Sequence, residues 1–339
     1  MPAKPHTLVV MNASSFRAHF DPGRLARLAG LATLDEPCWT EELDSPAARR
    51  RLAAAEVLLT SWGAPGLTPE RLDAAPALRA VLHCAGSVRT LVSEEVWRRG
   101  IRVTSAADVN AVPVAEYTLA AIILAGKKAP FLAAEARHGN EHRRLAEGLG
   151  DLSNHRRTVG LVGFSRVGRR VAELLRVLEG TTVLVADPYA DPEEVARAGA
   201  TLVELDDLLP RVHVLSLHAP ALPETRHLLD AARLRRLPDF ATVVNTARGS
   251  LVDSEALAEE CARGRLFAVL DVTDPEPLPA GSRLRTLPQV MLTPHLAGSL
   301  GTEIGRLTDH ALDELERWSS GRPLHGEVTA ATWARGHQA

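Results

Sequence analysis

A glycine turn between two apolar runs constrains the fold of this 339-residue chain more than any other feature. The first run ends at Val162. The next six residues, GFSRVG, place Gly163, Ser165 and Gly168 at the three glycine positions of a G-x-G-x-x-G turn. Apolar residues then recur at helical spacing as far as Leu178. The order strand, turn, helix, strand predicts a doubly wound α/β unit.

The glycine turn and the strand that follows the helix suit a dinucleotide. Gly163 permits the sharp turn, Gly168 lets helix and strand approach closely, and the helix N-terminus attracts a pyrophosphate. Asp187 ends the second strand nineteen residues after Gly168, where its carboxylate can bind both ribose hydroxyls and repel a 2′-phosphate. We therefore predict NAD as the cofactor, with NADH preferred over NADPH. The alternative is a glycine turn in some other doubly wound protein.

Ser165 departs from the glycine pattern at its second position. Glycine there normally lets the backbone touch the pyrophosphate. The hydroxyl of Ser165 could instead cap the helix or bond a phosphate oxygen. We expect weaker cofactor binding at most, with the site retained.

Composition indicates a soluble two-domain protein. The net charge of −3 gives no electrostatic footprint for nucleic acid or an anionic membrane. Cys38, Cys84 and Cys261 are too few and too scattered for a disulfide framework or a zinc site. The N-terminal apolar run is too short for a signal peptide, and the apolar segment 114–125 carries Glu116 and is expected to be too short for a membrane span. We expect a cytoplasmic protein without a metal or a nucleic-acid or membrane partner.

Strands and helices alternate along the chain, which predicts two doubly wound parallel-sheet domains. A flavodoxin-like domain is expected over residues 1–105 and 301–330, a Rossmann domain over 106–300, and a C-terminal tail over 331–339. A long helix beginning near Val112 and Pro113 is expected to cross from one domain into the other. The polar segment between that helix and the glycine turn holds histidines that we expect to be solvated: His138, His142 and His155.

Three polar residues follow predicted strands of the second domain. They are Arg248 in NTARGSLVD, Glu276 in DVTDPEPLP and His295 in LTPHLAG. Ligands of open parallel sheets bind at the carboxyl ends of strands. A guanidinium can hold a carboxylate and polarise the neighbouring carbonyl, an imidazole can exchange a proton near neutral pH, and a glutamate can orient it. These residue types predict reversible hydride transfer to a 2-oxo acid, with a surface arginine, a loop-capping histidine and a solvated acidic loop as the alternatives.

These segments make the chain resemble the NAD-dependent D-2-hydroxyacid dehydrogenases over almost its whole length. The matching pieces are VGLVGFSRVGRRVA, ADPY, VLSLHAPALPETRHLLD, NTARGSLVDSEAL, LDVTDPEPLP and LTPHLAG. The resemblance implies a substrate-binding domain, an NAD-binding domain and an active site in the cleft between them. It implies that Arg248 binds the substrate and acts in catalysis, that His295 is the acid/base with Glu276 as its partner, and that the protein is a homodimer.

The resemblance also assigns contact residues. Arg166 and Val167 would bind pyrophosphate through their N–H groups, and Asp271 would face the nicotinamide carboxamide. The cofactor set is Gly163, Ser165, Arg166, Val167, Gly168, Asp187, His218, Pro220, Thr225, Thr246, Ala247, Asp271, His295 and Gly298. The substrate set is Ala85, Gly86 and Ser87, which would offer N–H groups to the carboxylate, together with Arg248 and Trp62. Trp62 could equally be a packed loop aromatic, and His218 is interpreted rather as a packed histidine.

The chain departs from the family pattern near the substrate. Thr273 stands where an aromatic is common, Tyr117 where histidine is frequent, and the segment 265–270 is one residue short. Phosphoglycerate, glyoxylate/hydroxypyruvate and phosphite dehydrogenases share the scaffold, whereas formate enzymes carry glutamine in place of Glu276. The predicted last helix leaves little sequence for the regulatory domain of many phosphoglycerate enzymes, so we expect none. An NAD-sensing corepressor-like binding protein is the alternative outside catalysis.

Overall fold

The computed structural model describes residues 4–136 and 149–334, which form two compact units. Of the described residues, the first unit contains those up to Asn110 and those from Ser299 to residue 334, and the second contains those within Ala111–Gly298. His155 is exposed, whereas His138 and His142 lie outside the described residues.

The first unit is built on a six-stranded sheet in the order β13-β5-β4-β3-β1-β2. Its strands are β1 (Thr7–Val10), β2 (Trp39–Thr40), β3 (Val57–Thr60), β4 (Ala80–His83), β5 (Arg102–Ser105) and β13 (Glu327–Val328). The first five are parallel and take the flavodoxin-like order, and β13 pairs antiparallel with β5. Every residue of β1, β3 and β4 is buried, which explains their unbroken apolar runs.

Helices cover the two faces of this sheet. They are α1 (Ala13–His19), α2 (Pro22–Leu31), α3 (Pro46–Ala54), α4 (Pro69–Asp73), α5 (Glu94–Arg98), α13 (Ile304–Ser319) and α14 (Ala330–Ala334). Side chains of Asn12, Asp21, Ser45 and Thr68 cap the first four. Residues 331–334, which were predicted to be part of a tail, continue α14, and Trp333 lies 6.3 Å from the ring of Trp97.

The second unit is built on a seven-stranded parallel sheet in the order β12-β11-β10-β9-β6-β7-β8. Its strands are β6 (Thr158–Val162), β7 (Thr182–Ala186), β8 (Thr201–Leu202), β9 (Val214–Leu217), β10 (Thr242–Asn245), β11 (Phe267–Leu270) and β12 (Val290–Leu292). This is the Rossmann order with one further strand. The strand order reverses beside β6, which is where such sheets bind their ligands. The predicted fold class is therefore confirmed.

Two apolar cores, one on each face, hold this sheet. The helices are the greater part of α6 (Ala107–Gly126), then α7 (Ala129–Ala136), α8 (Arg166–Leu175), α9 (Pro192–Arg197), α10 (Leu205–Leu208), α11 (Ala231–Arg236) and α12 (Ser254–Ala262). Helix α8 stops three residues before the predicted Leu178. Gly180 follows with a φ of +69°, a conformation that glycine adopts freely.

Helix α6 is longer than the sequence predicted. It begins at Ala107 rather than near Pro113, which lies inside it. Ala111 and Ala115 are buried on either side of the proline, so packing continues the helix through it. With 20 residues, α6 is by length and composition the one helix within residues 4–136 and 149–334 that could cross a membrane, contrary to the expectation from segment 114–125. Half of its apolar window is buried inside the protein, as in a core helix.

Candidate active site

The turn after β6 and the first turn of α8 have no room for side chains at Gly163 and Gly168. Gly163 has a φ of +99°, and a Cβ there would lie 2.6 Å from the backbone of His218 and Ala219. A Cβ on Gly168 would lie 2.1 Å from the carbonyl oxygen of Gly163. The predicted close approach of helix and strand is present. We call this tight turn with the first turn of α8 the cradle, because the first N–H groups of a helix lack intrahelical acceptors and suit a pyrophosphate.

Ser165 is the N-cap residue of α8, but its hydroxyl makes no capping hydrogen bond. Of the two alternatives for this hydroxyl, capping of the helix is therefore not observed, and the bond to a phosphate oxygen stays a prediction. Its backbone is extended, with φ −82° and ψ −152°, a conformation open to any residue. Serine at the second glycine position thus causes no backbone strain, and its hydroxyl is not used by the cap.

The carboxylate of Asp187, the residue directly after β7, also holds the glycine turn. Its Oδ2 accepts the N–H of Phe164 at 2.8 Å, and its Oδ1 accepts the N–H of Tyr189 at 2.9 Å. Each carboxylate oxygen has a further lone pair, so the group can still accept hydroxyl donors. The predicted ribose contact fits this half-buried position. The sequence did not predict that Asp187 also supports the glycine turn.

His218 supports the glycine turn from beneath. Its ring is buried, and its Nε2 lies 2.9 Å from Ser216 Oγ. The backbone N–H of His218 donates to the carbonyl of Val162. Burial lowers the pKa of His218 to about 3, so the ring is neutral at physiological pH. The interpretation of His218 as a packed histidine agrees with this environment.

The loop after His218 is closed by the hydroxyl of Thr225. Thr225 Oγ1 donates to the carbonyl of Pro220 at 2.6 Å and accepts the N–H of Leu222 at 2.8 Å. The two predicted cofactor residues of this loop, Pro220 and Thr225, are therefore neighbours. In the structure their hydrogen bond stabilises the loop, and their contact with the cofactor stays a prediction.

Asn245 shapes the turn that carries Arg248. Its Nδ2 donates to the carbonyl of Arg248 at 2.8 Å, and its Oδ1 accepts the N–H of Ala247 at 3.1 Å. A Cβ on Gly249 would lie 1.9 Å from the carbonyl carbon of Thr273. The Arg248 turn thus packs directly on the loop that leads to Glu276, a contact that explains the glycine after the arginine.

Thr246 ties the same turn to helix α6. Its Oγ1 lies 2.8 Å from Thr118 Oγ1, which donates to the carbonyl of Val114 at 2.7 Å. Because the hydrogen of Thr118 is used in that bond, Thr246 is the donor between the two hydroxyls. The side chain of Thr246 is therefore turned into the protein, which leaves its backbone for the predicted nicotinamide contact.

The side chains of His295 and Glu276 are hydrogen-bonded to each other in the second unit. His295 Nδ1 lies 2.7 Å from Glu276 Oε1, and about half of each side chain is exposed. A carboxylate only accepts, so Nδ1 carries a proton and Nε2 is the nitrogen left for proton exchange. His295 has a φ of +54°, a left-handed conformation that only a few per cent of non-glycine residues adopt and that recurs at functional sites.

Asp271 holds the loop on which His295 lies. This carboxylate is 2 % exposed and accepts the hydroxyl of Thr293 at 2.6 Å and the N–H groups of Leu296 and Ala297 at 2.8 and 2.9 Å. The N–H of His295 donates to the Asp271 carbonyl at 3.0 Å. The contact of Asp271 with the nicotinamide carboxamide stays a prediction, and its role as the anchor of this loop was missed.

In the first unit, β3 and β4 end side by side, with Thr60 paired to His83. The imidazole of His83 lies 2.9 Å from Thr60 Oγ1 and also hydrogen-bonds the backbone of Ser87. The Ala85 carbonyl accepts the N–H of Ala106 at 3.0 Å. The predicted substrate turn Ala85, Gly86 and Ser87 is thus braced on both sides. Sequence reasoning did not identify His83 as a residue that supports this turn. The only sequence signal for it is its position at the end of a strand.

Trp62 leaves the end of β3 beside that turn. Its side chain remains 41 % exposed, and its ring lies 5.4 Å from the buried imidazole of His19. Both nitrogens of His19 are engaged, Nε2 with Ser61 Oγ and Nδ1 with Thr308 Oγ1, each at 2.7 Å. His19 lies far from Trp62 in sequence, and no pattern pointed to it.

The predicted catalytic residues follow adjacent strands of one sheet. Arg248 comes after β10, Glu276 after β11 and His295 after β12, so all three lie on segments that leave the same carboxyl edge. The glycine turn and Asp187 follow β6 and β7 at that edge. Ala85, Gly86, Ser87 and Trp62 belong to the first unit. In the described parts of the chain, no three histidine, cysteine, aspartate or glutamate side chains are grouped as metal ligands.

Comparisons with known proteins agree with this geometry. Residues 119–297 match the model of the D-isomer specific 2-hydroxyacid dehydrogenase NAD binding domain. A D-3-phosphoglycerate dehydrogenase of Mycobacterium tuberculosis is 34 % identical over 273 residues, which cover 79 % of this chain and 51 % of that protein. The chain therefore spans about half the length of this relative.

Two further proteins match over most of their own length. A glyoxylate reductase of Aeropyrum pernix is 32 % identical over 258 residues, which cover 74 % of this chain and 76 % of that one. The crystal structure of the TT0316 protein from Thermus thermophilus superimposes with a TM-score of 0.74 at 31 % identity, covering 95 % of this chain and 100 % of that one. This chain belongs to the family of D-isomer specific 2-hydroxyacid dehydrogenases.

Proposed function

We propose that this protein is an NAD-dependent dehydrogenase that interconverts a small D-2-hydroxy acid and its 2-oxo acid. The observation that carries the proposal is the 2.7 Å contact of His295 Nδ1 with Glu276 Oε1. A carboxylate fixed on one nitrogen leaves the other nitrogen of the imidazole as a proton donor and acceptor. The Arg248 turn packs on the loop of Glu276, so a carboxylate-binding cation belongs to the same cluster of loops.

Each of the three residues has a chemical role. Arg248 binds the substrate carboxylate with its guanidinium and polarises the adjacent carbonyl. NADH, when bound, supplies the hydride that C2 receives. His295 donates the Nε2 proton to the developing alkoxide, and Glu276 stabilises the protonated imidazole before the transfer. In the oxidation direction His295 removes the hydroxyl proton.

The second unit is assigned to NAD and the first unit to the substrate. We propose the NAD-binding domain over residues 106–300, which begins five residues before the second unit and ends two residues after it, and the substrate-binding domain over 1–105 and 301–330. The cradle without room for a Cβ at Gly163 and Gly168 supports pyrophosphate binding, and the carboxylate of Asp187 supports NADH over NADPH. The turn Ala85, Gly86 and Ser87 is assigned to the substrate carboxylate.

The cell compartment and the oligomeric state are also part of the proposal. All three cysteines are free thiols, which supports a reducing compartment and hence the cytoplasm. Membership of the family supports a homodimer.

The experiment is NADH oxidation against glyoxylate, hydroxypyruvate, pyruvate, 2-oxoisocaproate and phenylpyruvate. Binding of NADH is measured separately by quenching of tryptophan fluorescence. The variants are Arg248→Ala and His295→Ala, with His155→Ala as a matched control because His155 is exposed in the same unit. General acid catalysis contributes roughly 10²- to 10⁴-fold, so His295→Ala should lower kcat by at least about 100-fold and leave the Kd of NADH within about 3-fold.

The alternatives give different results. Equal loss of turnover and NADH affinity in His295→Ala would remove the acid/base role from this residue. Binding of NADH by the wild type without reduction of any acid would favour an NAD-sensing binding protein. An inactive His155→Ala would show that the assay reports folding rather than chemistry.

A further inference from the structure

The strand ends of the first unit define where a substrate side chain would lie. In the register of the sheet, Thr60 is paired with His83, so Trp62 and Ala85 each lie two residues beyond the same pair on neighbouring strands. Neighbouring strands are about 5 Å apart. A 2-oxo acid whose carboxylate is held by the turn at Ala85 therefore carries its side chain toward a surface that includes Trp62.

Trp62 presents a large apolar surface in a fixed orientation. Its ring packs on the imidazole of His19 at 5.4 Å with an interplanar angle of 38°, and 41 % of the side chain is open to solvent. Thr308 Oγ1 also contacts the carbonyl of Ile304 at 3.3 Å, so its hydrogen points there and His19 Nδ1–H donates to Thr308. His19 Nε2 then accepts the hydroxyl of Ser61. The imidazole behind Trp62 cannot rotate without breaking two hydrogen bonds.

The two histidines beside this surface do not supply positive charge. Burial, and in second place Arg24, lowers the pKa of His19 to about 4. Burial also lowers the pKa of His83 to about 4. Both rings are therefore neutral at physiological pH, and their nitrogens are used by Thr60, Ser61, Thr308 and the Ser87 backbone.

The arginines nearest in sequence to His19 and to the substrate turn either bind other groups or point away from Trp62. Arg24 is bound by the carboxylates of Asp21 and Asp309. Arg17 lies two residues from the inward-facing His19 on α1, about 200° around the helix, and is exposed. Arg89, beyond the substrate turn, is exposed and engaged in an interaction of its own. Among the described residues of the first unit, a phosphate at Trp62 would thus meet neutral rings and an apolar indole, and burying an unpaired charge there is costly.

We propose that the 2-oxo acid substrate has an uncharged, apolar side chain that packs on the indole of Trp62 and that a phosphorylated side chain is rejected. This inference rests on the proposed function. It distinguishes the chain from the relatives named D-3-phosphoglycerate dehydrogenase, although they are about a third identical to it. Trp62 is then the residue that determines side-chain specificity, and His19 is the residue that positions it.

The test compares initial rates with phenylpyruvate, 3-phosphohydroxypyruvate and glyoxylate, which has no side chain. Wild type should show a kcat/KM for phenylpyruvate at least about 10-fold above that for 3-phosphohydroxypyruvate. Loss of a buried aromatic contact is worth about 10- to 100-fold, so Trp62→Ala should lower kcat/KM for phenylpyruvate by that factor and leave glyoxylate within about 2-fold. Trp62→Phe should restore most of the preference, and Trp62→Arg should shift it toward the phosphorylated acid.

Two results would overturn the inference while leaving the proposed function intact. One is a wild-type preference for 3-phosphohydroxypyruvate over phenylpyruvate. The other is an equal loss for glyoxylate and phenylpyruvate in both Trp62→Ala and Trp62→Phe, which would make Trp62 a packing residue. Failure of the wild type to reduce any of the three acids overturns the proposed function and this inference together.

Discussion

The phenol oxygen of Tyr117 lies 2.9 Å from the hydroxyl oxygen of Thr293, and this contact joins helix α6 to the loop of His295. Thr293 donates its hydrogen to the carboxylate of Asp271, so Tyr117 donates to Thr293. Burial raises the pKa of Tyr117, which keeps the donor protonated. The hydrogen bonds from Tyr117 to Thr293 and from Thr293 to Asp271 therefore hold one side of a loop. In this loop His295 has a left-handed backbone.

Replacing Tyr117 by phenylalanine tests whether this series of hydrogen bonds positions His295. The ring stays and one hydrogen bond is lost, so we expect stability to fall by only about 1 kcal/mol. For reduction of the oxo acid, kcat should fall about 3- to 10-fold and its pH profile should shift, whereas the Kd of NADH should stay within about 2-fold. The measurement is the pH dependence of kcat beside NADH titration.

Tyr189→Phe is the matched control for that experiment. Tyr189 is the other tyrosine of the chain and is 85 % exposed, so the loss of its hydroxyl should leave kcat unchanged. A Tyr117→Phe variant with the kcat and pH profile of wild type would show that Thr293 and Asp271 hold the His295 loop without help from α6.

Local patterns in the sequence predict most of the second unit. The turn at Gly163 and Gly168, the helix after it and the strand before Asp187 are all encoded within about 30 residues, and the structure contains each of them. The start of α6 was missed because a proline normally marks the first helical turn, whereas here packing of Ala111 and Ala115 decides. Strand β13 was missed because it consists of two residues paired with a distant strand.

Candidate site residues could be selected from the sequence only where they stand in a recognisable segment. Arg248, Glu276 and His295 each stand in a recognisable motif, so they could be selected from sequence. The groups that hold His295 and Trp62 in place could not be selected, because their contacts join distant segments. Thr308 is 289 residues from His19, and Thr293 is 176 residues from Tyr117. Single hydroxyls of this kind leave no periodic or spaced pattern, so only the folded chain reveals them.

Gly168→Ala tests the cradle at the start of α8. The new Cβ would lie 2.1 Å from the carbonyl oxygen of Gly163, so the helix must move away from the strand. We expect a loss of about 1–3 kcal/mol in the free energy of unfolding and at least a roughly 10-fold rise in the Kd of NADH. Denaturant unfolding and NADH titration measure the two effects.

Gly281→Ala is the comparison variant for Gly168→Ala. Nothing lies within 4 Å of a Cβ at Gly281, so this change should alter neither stability nor NADH affinity. Wild-type NADH affinity in Gly168→Ala would mean that α8 can shift without disturbing the cofactor and that the pyrophosphate is held elsewhere.

Asp187→Asn tests the origin of the cofactor preference. Asparagine keeps an oxygen that can accept the N–H of Phe164 or Tyr189 but removes the negative charge that repels a 2′-phosphate. The ratio of kcat/KM for NADPH to that for NADH should rise about 10-fold or more. Steady-state rates with both cofactors at a fixed concentration of the oxo acid measure it.

Asp191→Asn removes the same charge four residues further along the chain and serves as the control. Asp191 is exposed and caps α9, so its replacement should leave the NADPH to NADH ratio unchanged. An equal rise in both variants would indicate a general effect of net charge rather than recognition by Asp187.

A buried lysine in the second unit predicts an unusual dependence of stability on pH. Lys128 is 4 % exposed and donates from Nζ to the carbonyl of Phe240 and to Thr242 Oγ1, each at 2.6 Å. Burial, with a smaller effect of Arg157, lowers the pKa of Lys128 to about 7. Thr242 is the first residue of β10, so this group lies at the edge of the sheet opposite to His295.

The sign of the effect follows from the two pKa values. The unfolded lysine has a pKa of about 10.4, so between pH 7 and that value the unfolded chain binds more protons than the folded chain. The free energy of unfolding therefore rises with pH in this window, by at most about 1.4 kcal/mol per pH unit for one group. Lys128→Met removes this contribution. Between pH 7.5 and 9.5 the wild type should thus gain stability relative to the variant.

Denaturant unfolding of both proteins at several pH values measures the difference, and other titrating groups cancel in the comparison. Lys127→Met is the matched control, because Lys127 is the exposed neighbour of Lys128 and its replacement should leave the pH dependence of wild type intact. Parallel pH profiles for wild type and Lys128→Met would mean that Lys128 is charged to the same extent in the folded and unfolded chains. Burial would then be compensated by its two acceptors and by the ring of Phe267, which lies 4.4 Å from Nζ.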